Sequence, residues 1–197
     1  MLRTIFLALA LVSVSFCTGC AAPPAAAPKP SCLAPDRAAV GTQLNEGKFA
    51  AIRKSTEPGT VLFARIKGTQ NIGKTIAKLR EYAARKGYSL AGYPVCIFEM
   101  DFPSAPETSV IEVQCPIAEV LPDQYGDVSV KWHPALEVLS TFHLGPYESV
   151  GQTYGFLMGV VGQRQLCVPQ RAREIYYTDP ANTPPAKNLT EVQIILQ

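Results

Sequence analysis

VLFARIKGTQNIGKT (residues 61–75) and VLSTFHLGPYESVGQT (residues 138–153) are two versions of one pattern. Each opens on a β-rich run, reaches a glycine (Gly68, Gly145) and passes into a segment of helical period. The likeness continues downstream. Gly68 maps to Gly145 at an offset of 77; Gly73, Thr75, Leu79, Ile97 and Asp101 map to Gly151, Thr153, Leu157, Ile175 and Asp179 at 78; Glu112-Val113-Gln114 maps to Glu191-Val192-Gln193 at 79. Chance is a poor explanation for so many matches in one order, so the chain reads as a duplication.

Each half reads strand, helix, strand, strand. In repeat one (about 60–117), Val61 to Lys67 is a strand, Ile72, Ile76, Leu79 and Ala83 form the buried stripe of a helix that Gly87 stops, and Pro94–Asp101 and Ser109–Pro116 close the unit. In repeat two (about 137–197) the strand is Glu137–Leu144, the stripe is Val150, Tyr154, Leu157, Met158 and Val161, and the closing strands are Arg171–Thr178 and Leu189–Leu196. Ser149 with Gln152 three residues later predicts a capping box. Gly151, Gly155 and Gly159 share another face, at a cost of about 1 kcal/mol each relative to Ala, which predicts close approach of that backbone to the sheet. Residues 118–134 read as a connection.

The expected fold class is therefore α+β: two pseudo-twofold-related βαββ repeats with antiparallel strands, helices packed on the sheet, and a ligand cleft between the halves.

Ahead of the repeats, MLRTIFLALALVSVSFCTGC carries Arg3 and then an apolar run from Ile5 to Phe16, too short to span a bilayer comfortably. Residues 1–19 read as an export signal. Cys17-Thr18-Gly19-Cys20 resembles the lipobox of bacterial lipoproteins, although Cys17 stands where that motif usually has Leu; the resemblance implies lipidation at Cys20. The alternative is ordinary cleavage and a secreted product. Residues 20–35 hold five prolines and read as an extended spacer, leaving 36–197 as the folded domain. The expected location is the bacterial cell envelope, lipid-anchored on the periplasmic or extracytoplasmic face.

Eighteen basic against sixteen acidic residues give a formal charge of +2, without a long Lys/Arg cluster, so no nucleic-acid partner is expected. Cys32, Cys96, Cys115 and Cys167 remain in the mature domain, where export permits oxidation. A hairpin through Phe102 to Val110 would set Cys96 nearly opposite Cys115, so a bridge between them and two buried thiols are both open readings. His133 and His143, the two histidines, lack a third ligand at suitable spacing. No metal and no cofactor is expected.

The residues HLGPYE (143–148), REIYYTDP (173–180) and TEVQIIL (190–196), with PVCIFEMD (94–101) as the first-half counterpart, resemble GyrI-like domains, the effector-binding domains of AraC-type regulators. The likeness runs from about Thr60 to the C-terminus. It implies two βαββ repeats around a cleft, with a glutamate among aromatics that receives small aromatic or cationic molecules. By motif position that glutamate is Glu174, with Tyr176 and Tyr147 near the ligand. Many such domains are fused to a DNA-binding segment; here an export signal and spacer stand in its place, which argues against a regulator of transcription.

The residues themselves bear this out in part. Glu174 and Tyr176 point to one face of a strand, Ile175 and Tyr177 to the other. An unpaired charge beneath a helix would cost several kcal/mol, so Glu174 is assigned to the cleft face, where water reaches it. The competing reading is a surface ion pair with Arg171 or Arg173. The repeat offset puts Cys96 and Phe98 on the equivalent face of half one, with no second acid, so the cleft is expected to be asymmetric in charge. Trp132 is a candidate for the cleft mouth or for a buried connection. Glu112 and Glu191 read as solvated edge-strand acids.

The leading function is capture of a small aromatic or cationic organic molecule by Glu174, Tyr176, Tyr147, Phe98 and Trp132, with no catalytic residue assigned. One alternative is hydrolysis of strained electrophiles, with Glu174 as general base. Another is haem binding, as in the architecturally related SOUL proteins.

Overall fold

The structure, a computed structural model, describes residues 50–99, 107–166 and 170–196. The expected signal, spacer, Cys20, Cys32 and Cys167 lie outside the described residues. So does most of the loop between the closing strands of the first half.

Eight strands and two helices follow in the order β1 (Ile52–Ser55), β2 (Gly59–Lys67), α1 (Ile72–Lys86), β3 (Val95–Glu99), β4 (Val110–Ile117), β5 (Ser129–His133), β6 (Glu137–Leu144), α2 (Val150–Gln163), β7 (Arg171–Tyr176) and β8 (Leu189–Ile195). The fold is α+β. All eight strands join one antiparallel sheet in the order β1-β6-β8-β7-β3-β4-β2-β5. Among the described residues no helix is long and apolar enough to cross a membrane.

Register defines two faces, because directly paired residues project to the same side. One row across the sheet runs Ala64, Val113, Cys96, Glu174, Val192, Thr141. The next row, on the opposite face, runs Arg65, Glu112, Ile97, Arg173, Gln193, Ser140.

Both helices pack on the first face. Helix α1 buries Thr75, Leu79 and Ala83 against a core that includes Leu62, Phe98, Ile111, Val113 and Cys115. Helix α2 buries Thr153, Leu157 and Val161 over Leu139, Ala172, Val192 and Ile194. Leu79 and Leu157 are fully buried, each worth about 1.5–3 kcal/mol relative to exposure. The β3–β7 pairing lies between the two clusters. Gly87 ends α1 in the left-handed region (φ 72°), its N–H directed to the carbonyls of Ala83 and Ala84.

Several expectations are corrected. Strand β1 lies ahead of repeat one, where no element was expected, and β5 in the segment read as a connection; their sequences, IRKS and SVKWH, are short, charged edge strands without a long apolar alternation. The capping box is absent: Ser149 makes no side-chain cap bond, and its hydroxyl instead donates to the Pro146 carbonyl at 2.7 Å. Gly151, Gly155 and Gly159 face open space rather than the sheet. Cys96 pairs with Val113 and Cys115 with Leu62, so the two thiols are offset along the hairpin and both are free. Glu112 and Glu191 are not solvated edge acids: β4 and β8 are interior strands, and Glu191 is 1% exposed.

Candidate functional site

Glu174 projects from the middle of β7 onto the face that carries the helices, into the seam between α1 and α2. The sequence reading set helix face against cleft face. In the fold they are one face, because the seam separates two helices on the same side of the sheet. The water expected beside Glu174 is replaced by phenols: the hydroxyl of Tyr154 donates to Oε1 at 2.9 Å and that of Tyr176 donates to Oε2 at 2.8 Å. Glu174 is buried, and among the described residues no Lys or Arg forms an ion pair with it. The alternative pairing with Arg171 or Arg173 is absent, since both project from the opposite face.

Burial pushes the Glu174 carboxyl above its ordinary value, and the hydroxyls of Tyr176 and Tyr154 draw it part of the way back. The phenols respond in kind. Burial and then the Glu174 charge hold both Tyr154 and Tyr176 well above the usual range, so each remains a neutral donor.

Tyr147, on a short 3-10 turn before α2, sets its ring edge-on to that of Tyr176 with centroids 5.7 Å apart. Its hydroxyl too is raised, by burial and then by Glu174. The turn is pinned by His143 at the end of β6, which is buried and contacts the Thr153 hydroxyl through Nδ1 (2.9 Å) and the Pro146 carbonyl through Nε2 (3.1 Å). Cys96 stands directly across from Glu174, beside the Tyr176 hydroxyl.

The structure thus brings together Glu174, Tyr176 and Tyr147. Phe98 is packed in the α1 core, paired with Ala172, and forms part of the floor beside the seam. Trp132 is not brought to this place. It sits on edge strand β5, 46% exposed, four strands from β7, or roughly 19 Å at ordinary strand spacing. Tyr154 was read only as core stripe; a hydroxyl-bearing residue on a buried helix face, aimed at a strand acid, was the available signal. Among the described residues no His, Cys, Asp and Glu group could hold a metal ion.

Solved structures share the architecture. The cryo-EM structure of an EcmrR–DNA complex matches with a TM-score of 0.65 at 19% identity, covering 82% of this chain and 63% of that one. The crystal structure of the EcmrR C-terminal domain gives 0.62 at 20% identity, covering 76% and 98%. A hydrolase from Listeria innocua gives 0.59 at 15% identity, covering 75% and 91%. At these identities the likeness is one of fold. No curated protein sequence matches the chain. Residues 42–197 match the GyrI-like small molecule binding domain, and the chain belongs to that family.

Proposed function

We propose that the seam between α1 and α2 captures a small aromatic cation, with Glu174 as counter-charge and Tyr147, Tyr154 and Tyr176 as its aromatic wall. The observation that carries this reading is a buried carboxylate held by two neutral phenols and by no cation of the chain itself. Such a group lacks a full counter-charge, and a guest cation supplies one. Each ring face adds cation–π attraction of about 0.5–2 kcal/mol.

The duplicated βαββ architecture is part of the proposal. Matching β2 with β6, β3 with β7, β4 with β8 and β5 with β1 makes the strand order read the same from either edge, which supports a pseudo-twofold between β3 and β7. The proposal further places the domain in the bacterial cell envelope, tethered through a lipid on Cys20 by the spacer of residues 20–35. DNA binding is not part of it.

Calorimetric titration with aryl ammonium and aryl phosphonium ions, each beside a neutral isostere, tests the reading. Saturable binding of the cations that weakens at least tenfold in Glu174→Gln supports it; equal binding by both proteins refutes it. Mass spectrometry of the recovered ligands separates capture from hydrolysis. Intact mass of the exported protein decides whether Cys20 is lipidated.

A further inference from the structure

The face of the sheet away from the helices holds buried polar residues that the cation site does not use. Two acids anchor it. Glu191 Oε1 accepts from Ser140, Lys54 and Gln193, and its Oε2 accepts from the Tyr177 hydroxyl at 2.7 Å. Glu112 is held by Lys131, Arg65 and Gln114. Each carboxylate is thus held by at least three donors of the chain.

Between them lies Arg173, on the same face, paired with Ile97 on one side and Gln193 on the other. It is 8% exposed, yet its Nε and Nη1 are buried without a hydrogen-bond partner. Beside it, the Gln193 side chain donates to Glu191 and leaves its own Oε1 buried and unpartnered. A guanidinium stays charged in proteins, so Arg173 cannot shed its charge to suit the burial. The fold therefore sets two orphan donors of a permanent cation next to one orphan acceptor. Cations exceed acids in this group: Lys54, Arg65, Lys131 and Arg173 stand against Glu112 and Glu191.

We propose that Arg173 and Gln193 form a second site, on the sheet face opposite Glu174, that receives a small oxyanion bearing its own hydrogen-bond donor, such as a 2-hydroxycarboxylate. The carboxylate accepts a charge-assisted hydrogen bond from a guanidinium donor, and the hydroxyl donates to Gln193 Oε1. Tyr177 borders the place, its ring packed against Tyr93 and Phe142 at centroid distances of 4.6 and 6.0 Å, and gives an apolar wall for a short carbon chain.

The test titrates the full chain with glycolate and with acetate in a constant chloride background, for wild type, Arg173→Lys and Arg173→Gln. Saturable glycolate binding, at least fivefold tighter than acetate and lost in Arg173→Gln, is expected; Arg173→Lys keeps the charge but not the planar donors and weakens binding about tenfold. In parallel, the arginine Nε–H resonances of the wild-type chain are followed by NMR, where one is expected to shift saturably with glycolate. That measurement stands even if the variants fail to fold. Equal binding by wild type and Arg173→Gln, or no binding and no shift of any arginine resonance, overturns the proposal and leaves the two orphan groups to water.

Discussion

Cys96 stands directly opposite Glu174 across the β3–β7 pairing, at the position that the 78-residue offset also assigns as its counterpart. Strand β7 thus carries an acid where its neighbour β3 carries a thiol, and Glu174 is the one ionisable carboxylate in its row. Its pH behaviour follows. A carboxyl raised by burial contributes stability that is fully present below its unfolded value, about 4.3, and lost as pH rises through the folded value. A cation in the seam favours the ionised form. Affinity for an aryl ammonium ion is expected to rise with pH through the raised value and then level off, with protons released to the buffer on binding in the rising part. The same titration of Glu174→Gln should be flat.

Tyr154 reaches the acid from α2, and removing its hydroxyl separates donor from ring. Tyr154→Phe leaves Glu174 Oε1 without the bond it now accepts at 2.9 Å. A buried acceptor left unpaired costs about 1–3 kcal/mol, seen as a lower denaturant midpoint near neutral pH. The Glu174 pKa should rise further, so the loss ought to shrink in acid, where the carboxyl is protonated. A loss independent of pH would assign the effect to packing instead.

The two described cysteines are expected to stay reduced even in an oxidising compartment. Burial pushes the Cys115 thiol up to about 11 and raises Cys96 further, so little thiolate exists to react. Register adds a geometric bar, since residues diagonal across a hairpin lie roughly 7–8 Å apart, beyond ordinary disulfide reach. Alkylation of the native protein followed by mass analysis should leave both unmodified, and denaturant should expose both.

Much of this fold was legible because its sequence carries clear punctuation and period. Gly68, Gly87 and Gly145 punctuate the strands and α1, the spacing of Leu79 and Ala83 gives the buried stripe, and the paired EVQ triplets fix the last strands. Strands β1 and β5 were illegible, since runs of four and five residues with only one or two apolar side chains are strands only by pairing with a neighbour. Of the site, Glu174 was assigned by its place in REIYYTDP, and the cost of burying a charge wrongly set it beside water. The same cost misled elsewhere: Glu112 and Glu191 were placed in solvent because the lysines that neutralise them, Lys131 and Lys54, come from those unseen edge strands. Alternation shows which side of a strand a residue faces, but not whether both helices cover the same side.

Helix α2 carries its glycines on a solvent-facing stripe, unlike Gly145 ahead of it, and the expectations for alanine at the two kinds of position are opposite. Gly155 and Gly159 have nothing within 4 Å of an added Cβ. Gly155→Ala and Gly159→Ala should each raise stability by about 0.5–1 kcal/mol through reduced chain entropy. Gly145, at φ 148°, occupies backbone that side chains avoid, so Gly145→Ala should lower it. Thermal melts of the three variants check the pair; destabilisation by either α2 substitution would mean that the stripe is covered by something in the intact protein.

The last expectation concerns the acid limb of stability. Burial pushes Glu191 up, but the charge and hydrogen bond of Lys54, with Ser140 and Gln193, hold it below its ordinary value. Glu112 is likewise held down against burial by Lys131, Gln114 and Arg65. A depressed carboxyl contributes stability that is present above its unfolded value and lost as pH falls through the folded one, so both anchors weaken below about pH 4.3. Lys54→Met removes one counter-charge while Tyr177, Ser140 and Gln193 remain. The expected cost is about 1–3 kcal/mol at pH 7, smaller than for a pair stripped of every donor, and it should fade as acid protonates Glu191. Urea titrations of wild type and Lys54→Met at pH 7 and pH 3.5 measure the difference directly. A gap that stays constant between the two pH values would show that Lys54 acts through its methylene stem rather than through its charge.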